Sequence, residues 1–468
     1  MARAAPARDT DPEPEEVAMT KAASAAAKDL AAAGVSGVHL AWADNNGIPR
    51  SRVVPIGGLA DAAVRGVGAT SLFAVFDSHD AITYAHSGLG TPSGDIRLVP
   101  VVERLRRLAG QPALAWAPVR QLAADGSPWP YCQRSVLERQ VAEAARRGLE
   151  FRAGYELEFS VAPAGSEDIV SAPGHRGPAY SPHALIALDE FIAALLHDFA
   201  ANGLQIGQLH AEYGVAQLEL SLAATDPVSA ADDQLLARQT IHAAAHAHGL
   251  VASFAPMIGL GAAGNGWHLH TSIRRKGRNL LAGDGVPEGD GAAYLGGLLR
   301  DLPALTAITA PSVPSTMRLR PGFFAGAYAF WGVENREAPL RYVPGTALLG
   351  TEHANVELKT SDASANPYLA LAVVLAAGLA GIEDSAVLPD PIAEDPGGWS
   401  EGERNTAGVL PLPASPSEQD TALLANPRVS GALGDELLGA FRAVRASDAA
   451  WAAERAPEEI VAAHLWRY

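Results

Sequence analysis

Glutamate and histidine stand at alternate positions of short strand-like runs in this chain: Glu156-Leu157-Glu158 and His268-Leu269-His270, with Glu212, Glu219 and Glu357 on runs of the same kind. Alternate residues of a β-strand share a face, so each of the first two runs aims two ligating groups the same way. The runs come from four separate places, and helical patterns lie between them. For the groups to meet, the strands must lie in one sheet with the ligands on one face. Carboxylate oxygens with few imidazoles suit hard divalent cations, Mg²⁺ or Mn²⁺, which bind nucleotide phosphates. The pattern predicts a two-cation phosphate site. Any one such pair, taken alone, is more often two ordinary surface residues.

Charge narrows the partners. The 468 residues carry 35 basic and 52 acidic side chains, a net charge of −17, and nucleic-acid binding rests on Lys and Arg neutralising phosphates. A nucleic-acid partner is therefore not expected. The single cysteine, Cys132, permits no intrachain disulfide and no thiolate metal site, which fits a reducing, cytoplasmic setting. The apolar run at 369–382 falls short of the ~20 residues of a membrane span and reads as a buried helix, so no membrane partner is expected. Residues 1–16 are rich in Ala, Pro and acids without the order of a secretory signal, and read as a disordered tail.

Along the chain, an alanine-rich helix at 18–33 ends at Gly34. A strand at 38–44, a turn at Asn45-Asn46-Gly47 and a returning strand at 51–55 follow. Strand-like pieces at 71–76 and 95–101 complete a mostly β module, and the Pro- and Trp-containing stretch 117–130 reads as a linker. From Arg134 helices (135–147, 182–202, 229–249) alternate with strands (151–162, a pair within 206–222, 251–256, 266–274). The expected division is a tail at 1–16, an N-terminal domain at 17–120 and a catalytic domain at 121–468.

Two further segments carry chemistry. Gly264-Asn265-Gly266 ends a loop rich in Gly and Ala, which lets backbone amides approach a ligand closely. Arg318, Arg336 and Arg341 flank Pro321-Gly322-Phe323-Phe324 and Asn335-Arg336-Glu337, and guanidinium forks suit carboxylates and transferring phosphoryl groups.

Read in order, these elements resemble the glutamine synthetase superfamily from about residue 35 to the C-terminus. The likeness rests on Asp44-Asn45-Asn46-Gly47, on Gly94 to Pro100, on Glu156-Leu157-Glu158, on the Glu212/Glu219 hairpin, on the Gly-rich loop before His268, on Asn335-Arg336-Glu337 and on Ala365-Asn366-Pro367-Tyr368. It implies an α+β fold: a β-grasp-like N-terminal domain, then a larger catalytic domain with a curved antiparallel sheet, a half-barrel, flanked by helices. It also implies that Glu158, Glu212 and Glu219 hold one cation and Glu156, His268 and Glu357 a second, with two or three Mg²⁺ or Mn²⁺ per site. Gly264, His268 and Arg318 would meet glutamate, Arg336 and Arg341 the ATP phosphates, and His270 and Ser272 the nucleotide. The family's stacked hexameric rings imply a homo-oligomer, a hexamer or dodecamer, in which Asp77 or Asp80 is lent to a neighbouring subunit's site.

The departures from the family pattern point to the substrate. Ammonia-using members carry a catalytic glutamate directly after Pro-Gly-aromatic, and Phe324 takes that place here. A carboxylate attracts ammonium and removes its proton, whereas a phenyl ring lines a pocket against carbon. Lys359 replaces a family arginine in the substrate site, Asn355 stands where many members have arginine, and Ala255-Pro256-Met257 lacks a usual lysine. No tyrosine stands near 408–413, so tyrosine adenylylation is not expected. The resulting expectation is an ATP-dependent ligase joining the γ-carboxylate of glutamate to ethanolamine, a diamine or a polyamine through γ-glutamyl phosphate, similar to γ-glutamylpolyamine and γ-glutamylethanolamide synthetases. With Phe324 in place of the glutamate, Asp77, Asp80 or Glu334 would accept the amine's proton. The competing expectations are an ammonia-using glutamine synthetase and an inactive scaffold of the same fold.

Overall fold

Asp44 closes the first hairpin by accepting at Oδ1 from the backbone N–H groups of Asn46 (2.8 Å) and Ile48 (3.1 Å). Gly47 at the tip has φ 67°, and a Cβ there would lie 2.4 Å from the Ala365 carbonyl oxygen, so only glycine fits. Asn366, which caps the helix Pro367–Glu383, donates from Nδ2 to the carbonyls of Ala43 and Asp44, both at 3.0 Å. The hairpin is thereby tied to a largely buried helix. The structure, a computed structural model, describes residues 14–283 and 285–468.

The first helix runs Pro14–Ala32, so it starts inside the segment expected to be a tail; the rest of that segment, 1–13, lies outside the described residues. A six-stranded sheet follows, with Gly37–Ala43 antiparallel to Pro49–Pro55 and parallel to Leu114–Ala123, in keeping with the β-grasp-like expectation. Two readings are corrected here. The segment 71–76 is mostly a 3₁₀ turn, Ser71–Val75, in which the Leu72 N–H donates to the Thr70 hydroxyl at 3.3 Å. The supposed linker at 117–130 holds most of Leu114–Ala123, the central strand of the sheet. Its residues 115–119 are all buried, and a strand covered on both faces shows no alternation to read. A domain division near residue 120 stays a proposal, because this strand runs on to Ala123.

The second sheet has nine strands, with Leu149–Pro163 between Trp267–Arg275 on one side and Gln217–Leu222 on the other. All its pairings are antiparallel except Trp331–Val333 with Leu340–Val343 at one edge. Odd-numbered residues of the long strand face the core. The Tyr155 ring stacks on Trp267 with centroids 4.5 Å apart, and its hydroxyl donates to the Pro367 carbonyl at 3.2 Å. Even-numbered residues, Glu156 and Glu158 among them, take the opposite face. The helix expected at 182–202 is two helices, Pro182–Ala187 and Asp189–Ala201, broken at Leu188 with ψ 23°. Among the described residues, no helix is long and apolar enough to cross a membrane.

Candidate active site

Strand register brings five of the six predicted ligands together, and Glu212 directly follows the end of its strand, Ile206–Ala211. Glu158 lies opposite Glu219, Glu219 opposite His210, Glu156 opposite His268, and Glu357 opposite both His270 and Arg341. Residues directly opposite in antiparallel strands share a face, so the chain of pairs places all eight on one side of the sheet. His268 Nδ1 is 3.4 Å from Glu156 and 3.3 Å from Glu357, and its Nε2 is 3.6 Å from Glu158. His210 stands 3.5 Å from Glu212 and 3.3 Å from Glu219.

Ligand atoms within 4.8 Å of one another form three groups: Glu156, His268 and Glu357; Glu158, Glu219 and His268; and His210, Glu212 and Glu219. Glu158 and Glu212 meet through the shared Glu219. So many carboxylates in a partly buried cluster draw positive charge from whatever is near. The hydrogen bond to Glu219 raises the His210 imidazole to about 9. Burial would lower His270, yet Glu156 and Glu357 lift it to about 9. Burial would likewise raise Glu357, and Lys359, His270 and His268 bring it down to about 2. An oxygen-rich donor set that raises His210 and His270 in this way is short of cationic charge, which fits divalent cations.

These residues line a cavity of about 600 Å³ together with Gly264, Arg318, Phe324, Arg336 and Lys359. A second cavity of about 750 Å³ contains His270, Ser272 and Asn355 and shares Glu156 with the first. His270 Nδ1 and Asn355 Oδ1 are 2.9 Å apart. Arg318 is buried and donates to the Ser361 carbonyl at 2.8 Å. Glu158 does more than face the cluster: it accepts from the Gly266 N–H at 2.6 Å and from Gln217 at 3.0 Å, and Gln217 also donates to the Gly264 carbonyl at 3.0 Å. The Gly-rich loop is therefore pinned from the cluster itself. A Cβ at Gly264 would fall 2.1 Å from the Pro256 carbonyl oxygen and 2.9 Å from Arg318 Cγ. If Gly264 and Arg318 meet glutamate as the resemblance implies, the Gly264→Ala protein should raise KM for glutamate about tenfold or more while KM for ATP moves little, since backbone and arginine shift together. Initial rates against each substrate check this.

The glutamine synthetase catalytic domain matches residues 130–461 of this chain. The chain belongs to the glutamine synthetase family. A relative from Streptomyces coelicolor named gamma-glutamylpolyamine synthetase GlnA3 is 43% identical over 450 residues, 95% of this chain and 96% of that protein. A glutamine synthetase from Pyrococcus furiosus is 31% identical over 85% of this chain and 87% of its own. Among solved structures, a "novel glutamine synthase homolog" has a TM-score of 0.82 at 29% identity, covering 93% of this chain and 99% of its own. A GmaS/ADP complex has a TM-score of 0.80 at 26% identity, covering 92% and 97%.

In this glutamine synthetase family member two expected site residues, Asp77 and Asp80, stand apart from the cluster, and a third, Glu334, meets it only through Arg341. Asp77 accepts at Oδ1 from the N–H groups of His79 and Ala81, both at 2.9 Å, and at Oδ2 from Ser447 at 2.9 Å. Asp80 is held between Arg50 (2.8 Å) and Arg467 (2.6 Å), and Glu334 pairs with Arg341. None of the three lines either cavity of its own chain. Conversely, the sequence reading missed His210 and Tyr180, both of which line the first cavity. His210 was visible in principle, two residues before Glu212 on one strand. Tyr180, whose hydroxyl donates to Glu212 at 2.6 Å, sits in an irregular segment at φ 58°, where no period marks it.

Proposed function

We propose that this ligase takes a diamine or polyamine as its acceptor. As a glutamine synthetase family member it uses ATP and a divalent cation to join the γ-carboxylate of glutamate to an organic amine. The observation that carries the acceptor class is the wall of the catalytic cavity. Tyr180, Tyr213, Phe323 and Phe324 line it and all remain exposed to solvent, above the carboxylates Glu158, Glu212 and Glu219. Aromatic faces bind alkyl chains and attract ammonium groups, and the carboxylates beneath add negative potential. The name of the S. coelicolor relative supports the same reading.

In this reading Glu158, Glu212 and Glu219 hold one cation and Glu156, His268 and Glu357 the other, as Mg²⁺ or Mn²⁺, with room in the cluster for a third near His210. The cations supply charge neutralisation on the phosphoryl group in transfer. Gly264, Arg318 and Lys359 position glutamate, Arg336 and Arg341 face the phosphates, and His270 and Ser272 the nucleotide in the second cavity. Glutamate is phosphorylated on its γ-carboxylate; the amine attacks the acyl carbon and phosphate leaves. An alkylammonium must first lose a proton. Asp77 and Asp80 face a neighbouring subunit's site, in a hexamer or dodecamer, and the enzyme works in the cytoplasm.

The test is phosphate release from ATP with Mg²⁺ and glutamate against ammonium, ethanolamine, putrescine, spermine and short monoamines, with product mass determined. Release with putrescine or spermine well above the others is the expected result. Equal or greater release with ammonium refutes the acceptor.

A further inference from the structure

A buried carboxylate lies beside the cavity with no part in the chemistry so far described. Glu337 is 6% exposed. Its backbone N–H is fixed by Asn335 Oδ1 at 3.0 Å, and the Asn335 amide donates in turn to the carbonyls of Ile392 (2.9 Å) and Glu394 (3.0 Å). From this anchored position Oε1 accepts from the Gly322 N–H at 3.1 Å and Oε2 from the Phe324 N–H at 3.0 Å. One carboxylate thus spans two alternate amides of a single loop. Both of those residues have left-handed backbone, Gly322 at φ 76° and Phe324 at φ 52°. Glycine adopts that region freely, but a phenylalanine does so only when its surroundings impose it. Phe324 buys little from burial, since its side chain is largely exposed in the cavity wall. Burial pushes the Glu337 carboxyl up, and the two amide hydrogen bonds oppose that rise; because one anchored carboxyl group accepts from both amides, Glu337 is the group best placed to impose the conformation.

We infer that Glu337 is a positioning residue that clamps the 321–325 loop, holds Phe324 in the cavity wall, and thereby sets the preference for an amine with a carbon skeleton over ammonium. The inference rests on the proposed use of an organic amine. A loop free to relax would swing the Phe324 ring out of the wall and leave an opening that water fills. Selectivity would fall although every cation ligand and arginine stays in place.

Two measurements test this, and the first needs no substrate. Amide hydrogen exchange of the peptide covering 320–326 should be about tenfold faster or more in Glu337→Ala than in the unmutated protein, with other peptides unchanged. In steady-state kinetics the same variant should raise KM for the organic amine about tenfold and reduce its preference over ammonium by a similar factor, with KM for ATP and glutamate unmoved. Glu337→Gln keeps the shape and one acceptor and should fall between, which guards against a simple folding defect. In a Phe324→Ala background, Glu337→Ala should change selectivity no further, because the two act as one unit. Unaltered exchange in the loop overturns the clamp; faster exchange with unchanged selectivity, or equal losses on every substrate, overturns the specificity role. Should the unmutated enzyme itself prefer ammonium, the acceptor assignment fails while the exchange experiment still decides the clamp.

Discussion

With glutamine in place of Glu156, phosphate release should fall by about three orders of magnitude, or about 4 kcal/mol of transition-state stabilisation at 1.4 kcal/mol per decade. Glu156 lies at the centre of the cluster: it is 3.4 Å from both His268 and His270, and it borders both cavities. Glu156→Gln keeps the volume and the cross-strand packing but removes the charge that faces His268 and His270 and that, on the proposed assignment, a cation would share. Burial would raise the Glu156 carboxyl, yet hydrogen bonds from His268 and His270 hold it far below the usual carboxylate range, so at neutral pH the native group is fully ionised. The loss should be specific to the cation. If the cluster holds cations as proposed, added Mn²⁺ should raise Tm for the native protein by mass action on the folded state, and that increment should shrink in the variant while Tm without metal changes little. A full increment combined with lost activity would show that Glu156 serves the nucleotide and holds no cation.

Why this cluster was legible from sequence, and other features were not, follows from what a β-strand writes into its sequence. Glu156/Glu158 and His268/His270 advertise themselves because period-two alternation on a half-buried strand separates core-facing Tyr155 and Leu157 from ligand-facing glutamates. Register then did the assembly, and register is long-range information that the alternation alone constrains only to a face. Leu114–Ala123 was misread for the opposite reason: buried on both faces, it has no alternation, and its Pro118 resembles linker punctuation. The 3₁₀ turn at Ser71–Val75 carries β-like residues whose conformation is set by a cap from Thr70. Glu337 belongs to a third class. Its role depends on two backbone amides more than ten residues earlier, and backbone amides leave no trace in side-chain pattern. Tyr180 is of the same class, since a hydrogen bond to Glu212 across irregular chain follows no period.

Phe324→Glu should invert the amine preference. The native ring stands in the cavity wall, with Phe323 beside it and Met257, Tyr180 and Tyr213 lining the same space. For a diamine or polyamine this wall offers apolar contact for the methylenes and aromatic faces for a distal ammonium. A glutamate there removes the contact and places a carboxylate where ammonium can be attracted and deprotonated. The ratio of kcat/KM for putrescine to that for ammonium should therefore fall by about two orders of magnitude, about half from weaker diamine binding and half from gained ammonium use. The Glu337 clamp acts on the main chain of residue 324, so the new carboxylate should still be presented to the cavity. Parallel assays with each amine and mass determination of the product separate the two halves. A variant that loses diamine use without gaining ammonium use would show that Phe324 supplies contact only, and that deprotonation of the amine depends on another group, for which Tyr180 and its partner Glu212 in the same cavity are the next variants to make.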